Sequence, residues 1–197
     1  QAYPEYFNHK YQAQKTNIVQ IQQLLDTKTA FIEYLTTNTI SFAFLITKDQ
    51  VELIELKHGE IKETFQAFRK SLSDYDYIQH NAPESYETYA VSALRLYKHF
   101  IAPLEEKLVN INHLIIVPDS YLGHIPFEAL LTEKPTDIEN FNTMSYLINR
   151  YKISYSYSAL LWVENRSKQH AEDHSLEMLA AAASYAPNLD SLISEQH

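Results

Sequence analysis

Apolar positions along the chain change their spacing several times, and each change predicts a change of element. Over residues 1–25 the spacing is helical: Ile18, Ile21, Leu24 and Leu25 fall on one face, and the polar run 26–28 ends the helix. From residue 29 the chain turns to Thr, Ile, Phe and Val. The stretch TAFIEYLTTNTISFAFLITKDQVELIEL divides into strands over residues 29–35, 40–47 and 51–57, separated by the polar turns TTN and KDQ. Turns this short predict an antiparallel meander. The nearly continuous apolar run FAFLI predicts that the second strand is covered on both faces. KHGE then leads into a helix over 60–73, with Ile61, Phe65, Phe68 and Leu72 on one side.

SDYDYIQHNAPES reads as a polar connector. A second long helix follows Pro83, with Glu84 and Glu87 in a first turn that favours negative charge, and runs to residue 100. Tyr89, Leu94, Leu96 and Tyr97 are among its packing residues. Pro103 interrupts it, and APLEEKLVN continues as a short helix. HLIIV is short and wholly apolar after its histidine, as a central parallel strand is. Residues 132–149 give weak order signals. A strand is expected over 150–156 and a helix from Ser158, a good N-cap residue. In SLEMLAAAASYAP the alanines favour helix by propensity. The position after a helix and a polar loop favours a third parallel strand over 177–184, and the position is followed. Helix, strand, connector, strand, helix, strand is α/β layering.

Charge narrows the function. The 197 residues carry a net charge of −9, with 10 basic and 12 acidic residues up to position 100 and 6 and 13 after it. An acidic surface repels phosphate backbones, and no basic run suggests a lipid surface, so neither nucleic acid nor membrane is an expected partner. The acidic second half favours basic substrates, by field alone. No stretch reaches the length of apolar residues that crosses a bilayer. The start, QAYPEYFNHK, has no Met and no charged-then-apolar leader pattern, and reads as the middle of something longer. The absence of cysteine removes disulfides, thiolate metal sites and a cysteine nucleophile within the chain, and is compatible with a reducing compartment. Only Gly59 and Gly123 are glycine, which excludes a glycine-rich phosphate loop or dinucleotide fingerprint. The 15 tyrosines are expected to pack at the edge of the core.

The densest loop chemistry lies in HLIIVPDSYLGHIPFEALL, residues 113–131. Loops at the carboxyl ends of parallel strands line ligand sites. His124 therefore has two readings, a contact to substrate or a neighbouring loop, or a histidine that fixes the turn through the backbone; the second is preferred. Asp119 is read as capping the turn rather than as a catalytic carboxylate. In HAEDH, His170 and His174 stand four apart with Glu177 beyond, but Glu172 is misplaced for a zinc helix, and a solvated polar run is preferred. No G-x-S-x-G elbow occurs, and Ser156 and Ser158 are expected to pack and cap.

ALRLYKHFIAPLEEKLVNINHLIIVPDSYLGHIPFEALL, followed by YLINRYKISYSYSALLW, resembles the first half of a CHAT domain. These are caspase-like peptidase domains often placed after tetratricopeptide-type helical repeats. The family pattern is an LY…L…PL…L helix, then L-(I/V)-I-V-P-D-G-x-L-x-x-(I/L)-P-F-(E/A)-A-L, then Y-x-I-S-Y-x-P-S. It falls here on residues 96–108, 114–130 and 151–158, and FIEYLTTNTISFAFLITKDQVELIEL is similar to the strands that commonly precede the domain. Ser120 stands at a family glycine, and Ser156 and Tyr157 replace an Ala-Pro-like pair. The family's His–Cys dyad lies in later H-x-x-x-H-G-like and L-S-A-C-like segments that do not occur in these residues. No catalytic residue is carried over, and none is assigned for metal or cofactor. Pro118, Asp119, His124, Pro126 and Phe127 are motif positions read as structural.

The resemblance implies an α/β, caspase-like layered sheet with parallel central strands, incomplete here, preceded by an antiparallel β-meander and an N-terminal helix. Residues 1–28 are expected to be a helical segment closing an upstream repeat array. Residues 29–82 form the meander plus helix, and 83–197 the first half of the caspase-like domain. The implied function is the N-terminal part of a cytoplasmic cysteine peptidase whose dyad lies beyond this chain; the alternative is a non-catalytic scaffold coupled to helical repeats. Expected partners are a protein substrate or regulator, upstream repeats, and either the rest of the domain or another chain to cover an apolar sheet edge.

Overall fold

The computed structural model describes residues 16–37, 40–56 and 61–167. Helix α1 (Ile18–Leu24) is only seven residues long and is started by a capping box. The Asn17 side chain accepts from the Gln20 amide, and the Gln20 side chain accepts from the Asn17 amide, each at 3.0 Å. Two otherwise orphaned donors are thereby satisfied, which lets so short a helix persist. Ile21 and Leu25 are buried, whereas Ile18 and Leu24, expected on the same face, are exposed.

Strands β1 (Thr29–Thr36), β2 (Ser41–Ile46) and β3 (Val51–Leu56) form the expected antiparallel meander. Helices α2 (Ile61–Ser73), α3 (Tyr75–His80) and α4 (Ala82–Phe100) follow, then a 3₁₀ segment, Ala102–Lys107, in place of the expected short α-helix. Strand β4 (His113–Val117) enters the sheet beside β1, parallel to it, and β5 (Lys152–Tyr155) lies parallel on its other side. The sheet thus has five strands in the order β3-β2-β1-β4-β5. Helix α5 (Ala159–Ser167) starts as expected, with Ser158 Oγ accepting from the Leu161 amide at 3.1 Å.

Alternation along the strands sorts side chains into two cores. Ala30, Ile32, Tyr34, Ala43, Leu45, Leu114 and Ile116 face α2 and α4, where Phe65, Phe68, Leu96 and Phe100 meet them. Phe31, Ile46, Ile115 and Val117 face α1 and α5. There Trp162, 8% exposed, packs a tilted ring 5.2 Å from Phe31. This is an α/β sandwich of three layers with mixed strand directions.

Three expectations change. Helix α3 replaces a polar connector; Asp74 caps it by accepting from the Tyr77 amide at 3.0 Å. None of its residues is buried, so no apolar stripe announces it. Strand β2 is covered fully on one face only: Phe42 and Phe44 are half-buried, whereas Ile46 on their face packs with Ile21 and Leu25. The connector 132–149 is ordered against the sheet by Leu131 bridging Tyr146 and by buried Met144 and Leu147. The strand expected over 177–184, with His170, His174 and Glu177, lies outside the described residues.

A polar contact crosses three strands. His113 Nε2 is 2.8 Å from Ser154 Oγ on β5, and its Nδ1 is 3.4 Å from Thr29 Oγ1 on β1. Burial, with Lys152 and Arg166 nearby and only partly opposed by Asp26, holds this imidazole below its usual range. A histidine with a depressed folded pKa binds its proton more readily when unfolded, so stability is lost as pH falls through the unfolded value of 6.5. His113→Gln is expected to shrink the difference between urea midpoints measured at about pH 7.5 and about pH 5.5. An undiminished difference contradicts this role.

Candidate functional site

The parallel strands β1, β4 and β5 point their carboxyl ends to one side of the sheet, and the loop after β4 closes that side. Pro118 has no amide to continue the ladder, so β4 stops at Val117. Asp119 does not cap its own turn. Its Oδ2 accepts from the Thr36 amide at 2.7 Å and from Thr36 Oγ1 at 3.0 Å, tying the loop to the last residue of β1. Hydrogen bonds to a charged acceptor are worth about 1.5–3 kcal/mol, and here they join two strand ends rather than close one turn.

Residues Ser120–His124 then form one 3₁₀ turn. Ser120 enters it at φ 53°, the left-handed region that glycine occupies without a Cβ clash. Gly123 is not in that region, and a Cβ there meets only Pro118 Cγ at 3.9 Å. The turn's glycine is therefore not at the position whose backbone calls for one. His124 is exposed, and no hydrogen bond to its ring is present among the described residues.

The chain next returns into the core. Ile125 is buried, Pro126 exposed, and Phe127 fully enclosed in a second 3₁₀ turn, Phe127–Ala129. Three tyrosines hold it. The Phe127 ring stacks on Tyr34 at 5.8 Å, and Tyr34 Oη donates to the Phe100 carbonyl at 2.9 Å. Tyr89 Oη donates to the Ala129 carbonyl at 2.7 Å. Tyr155 Oη, at the end of β5, accepts from the Phe127 amide at 2.9 Å and donates to Glu128 Oε2 at 2.7 Å. Burial pushes all three phenols well above their ordinary range, so they remain protonated donors at any physiological pH.

Beside this loop lies an open groove of about 900 Å³. One wall is the chain end of β1 and the start of the turn, Thr36, Thr37, Ser120 and Tyr121. The other is a stripe of α2 carrying Lys62, Arg69 and Lys70. The apolar spacing of α2 does not announce this stripe. The readable signal is basic residues at i, i+7 and i+8, which share one side of the helix.

The five motif residues thus separate. Pro118 and Asp119 finish the strand ends, Phe127 fills the core, and His124 and Pro126 are exposed. Among the described residues no group of His, Asp or Glu is arranged to hold a metal ion, and no helix is long and apolar enough to cross a membrane. A family model, the CHAT domain, matches residues 91–195, more than half of the chain and starting within α4.

The chain belongs to the CHAT domain family.

No curated protein matches the chain at the threshold applied. In this CHAT domain the residue after Pro118-Asp119 is the left-handed one, so Ser120 carries a strain there that a glycine would not. Ser120→Gly and Gly123→Ala are each expected to raise stability, by at most about 1 kcal/mol, and Ser120→Val to lower it. Thermal unfolding of the three variants checks this. A loss of stability in Ser120→Gly contradicts the strain.

Proposed function

We propose that this chain is the amino-terminal, dyad-free part of a caspase-like cysteine endopeptidase. The observation that carries the reading is the CHAT family match over residues 91–195, joined to a sheet whose parallel strands end together at a loop-lined face. A CHAT peptidase works through a thiolate that attacks the peptide carbonyl, with a histidine managing the protons. The chain holds no cysteine, so the nucleophile belongs to polypeptide outside these 197 residues. In this reading β1, β4 and β5 build part of the central sheet, and the Asp119–Thr36 clamp and the three tyrosines keep its carboxyl face rigid. Rigid elements position reacting groups more tightly than free loops do.

The same reading places helical repeats before α1, the remainder of the domain beyond β5, a polypeptide substrate at the carboxyl face, and the protein in the cytoplasm. The strand β5 supports the second of these: it is four residues long, carries half-buried Ile153 and Ser154, and has no strand on its outer side among the described residues.

The test uses the uninterrupted protein. The cysteine that ends a later parallel strand is replaced by alanine, and cleavage of a casein substrate is measured beside the thermal transition. Loss of cleavage with an unchanged transition is expected. Undiminished cleavage, or the lack of any such His–Cys pair, overturns the peptidase reading in favour of a non-catalytic scaffold between helical repeats and partner proteins.

A further inference from the structure

We propose that the groove between α2 and the β1–β4 carboxyl ends binds an acidic, extended segment of a partner polypeptide. This goes beyond the peptidase reading and holds with or without a working dyad.

Charge argues it first. The chain is acidic overall, at −9, yet three cations line one wall of a single groove. Among the described residues the ion pairs engage Lys107 and Arg150, and none engages Lys62, Arg69 or Lys70. Lys70 stands 3.9 Å over the Tyr77 ring, a cation–π contact that supplies no countercharge. The lining also includes Glu63 and Asp74, so its cations outnumber its carboxylates by one; the Asp74 carboxylate accepts from the Tyr77 amide. Lys62 and Arg69 are exposed on a helix that is anchored beneath by Phe65 and Phe68. An acidic chain repels an acidic partner everywhere else, so such a groove gives local specificity rather than general stickiness.

Geometry selects an extended peptide. From Lys62 to Lys70 the helix rises about 12 Å at 1.5 Å per residue. An extended chain covers that in roughly four residues, and its alternate side chains share one side. Acidic side chains four residues apart, about 13 Å, therefore span the distance from Lys62 to the Arg69–Lys70 pair. The rings of Phe65 and Tyr121, 5.4 Å apart at 49°, give the groove an apolar patch beside the cations. Ser120 also lies on the rim. A segment of alternating acidic and apolar residues fits both surfaces.

The experiment uses the whole 197-residue chain and fluorescence anisotropy with three labelled probes: an octapeptide alternating glutamate and valine, its lysine–valine counterpart, and a single-stranded oligothymidylate. The glutamate peptide is expected to bind saturably and more weakly as salt rises. Arg69→Glu is expected to weaken it by about tenfold. Lys62→Glu is a second exposed variant that does the same should the first fail to fold, as judged by circular dichroism. Lys107→Glu, on a cation outside the groove, is expected to leave binding unchanged. Absence of saturable binding, equal affinity for the two peptides, indifference to both groove variants, or tighter binding of the oligonucleotide overturns the proposal.

Discussion

The parallel ladder between β1 and β4 is the contact on which the rest of this fold depends. It sets Thr29 to Glu33 beside His113 to Val117, residues 84 apart along the chain. Closing so long a loop costs entropy that grows only slowly with length, but nothing is gained until both strands are in place. The return comes from burial. Phe31, Ile32, Ile115 and Ile116 are almost inaccessible, with helices against both faces. At about 25 cal/mol per Å² of apolar surface, strands enclosed on both sides supply the largest share of what holds the layers together. The meander β1-β2-β3 forms from neighbours in sequence; β4 ties it to the CHAT segment proper and gives β5 its place.

Everything at the carboxyl face inherits its position from that ladder. Asp119 reaches Thr36 because β1 and β4 end side by side. Tyr155 meets Phe127 because β5 is in register with β4. Tyr34 stacks on Phe127 from β1, and Tyr89 comes from α4 on the same side. The loop that carries a histidine, an aspartate and a serine is thus built as a rigid seam. Its aspartate is consumed in a strand-end clamp, its serine in a left-handed turn, and its histidine is turned to solvent. The groove stands beside that seam, bounded by the same strand ends and by α2.

Much of this was legible in the chain and some was not, for physical reasons. The apolar runs of β1, β4 and α4, the stop at Pro118 and the cap at Ser158 are local signals, and each marks its element. The motif around Pro118 and Phe127 is specific enough to name the family; that the backbone is left-handed at Ser120 emerges only from the turn itself. Helix α3 left no trace because a helix with no buried face has no periodicity to read. The half-buried outer side of β2 was hidden for the opposite reason: FAFLI is apolar throughout, and its pattern does not say how far tertiary packing covers it. Which of the 15 tyrosines act as clamps, and that α2's basic stripe faces the β4 turn, are consequences of tertiary packing that no local pattern contains.

Native-state hydrogen exchange tests the central dependence most directly. If the β1–β4 ladder is the keystone, the amides of Phe31, Ile32, Ile115 and Ile116 exchange only through global unfolding, with opening free energies equal to one another and to the stability of the described fold. The β2–β3 hairpin and α1 then open at lower free energy. Exchange of the β4 amides through a lower-energy opening, with the β1–β2–β3 meander still protected, contradicts the account.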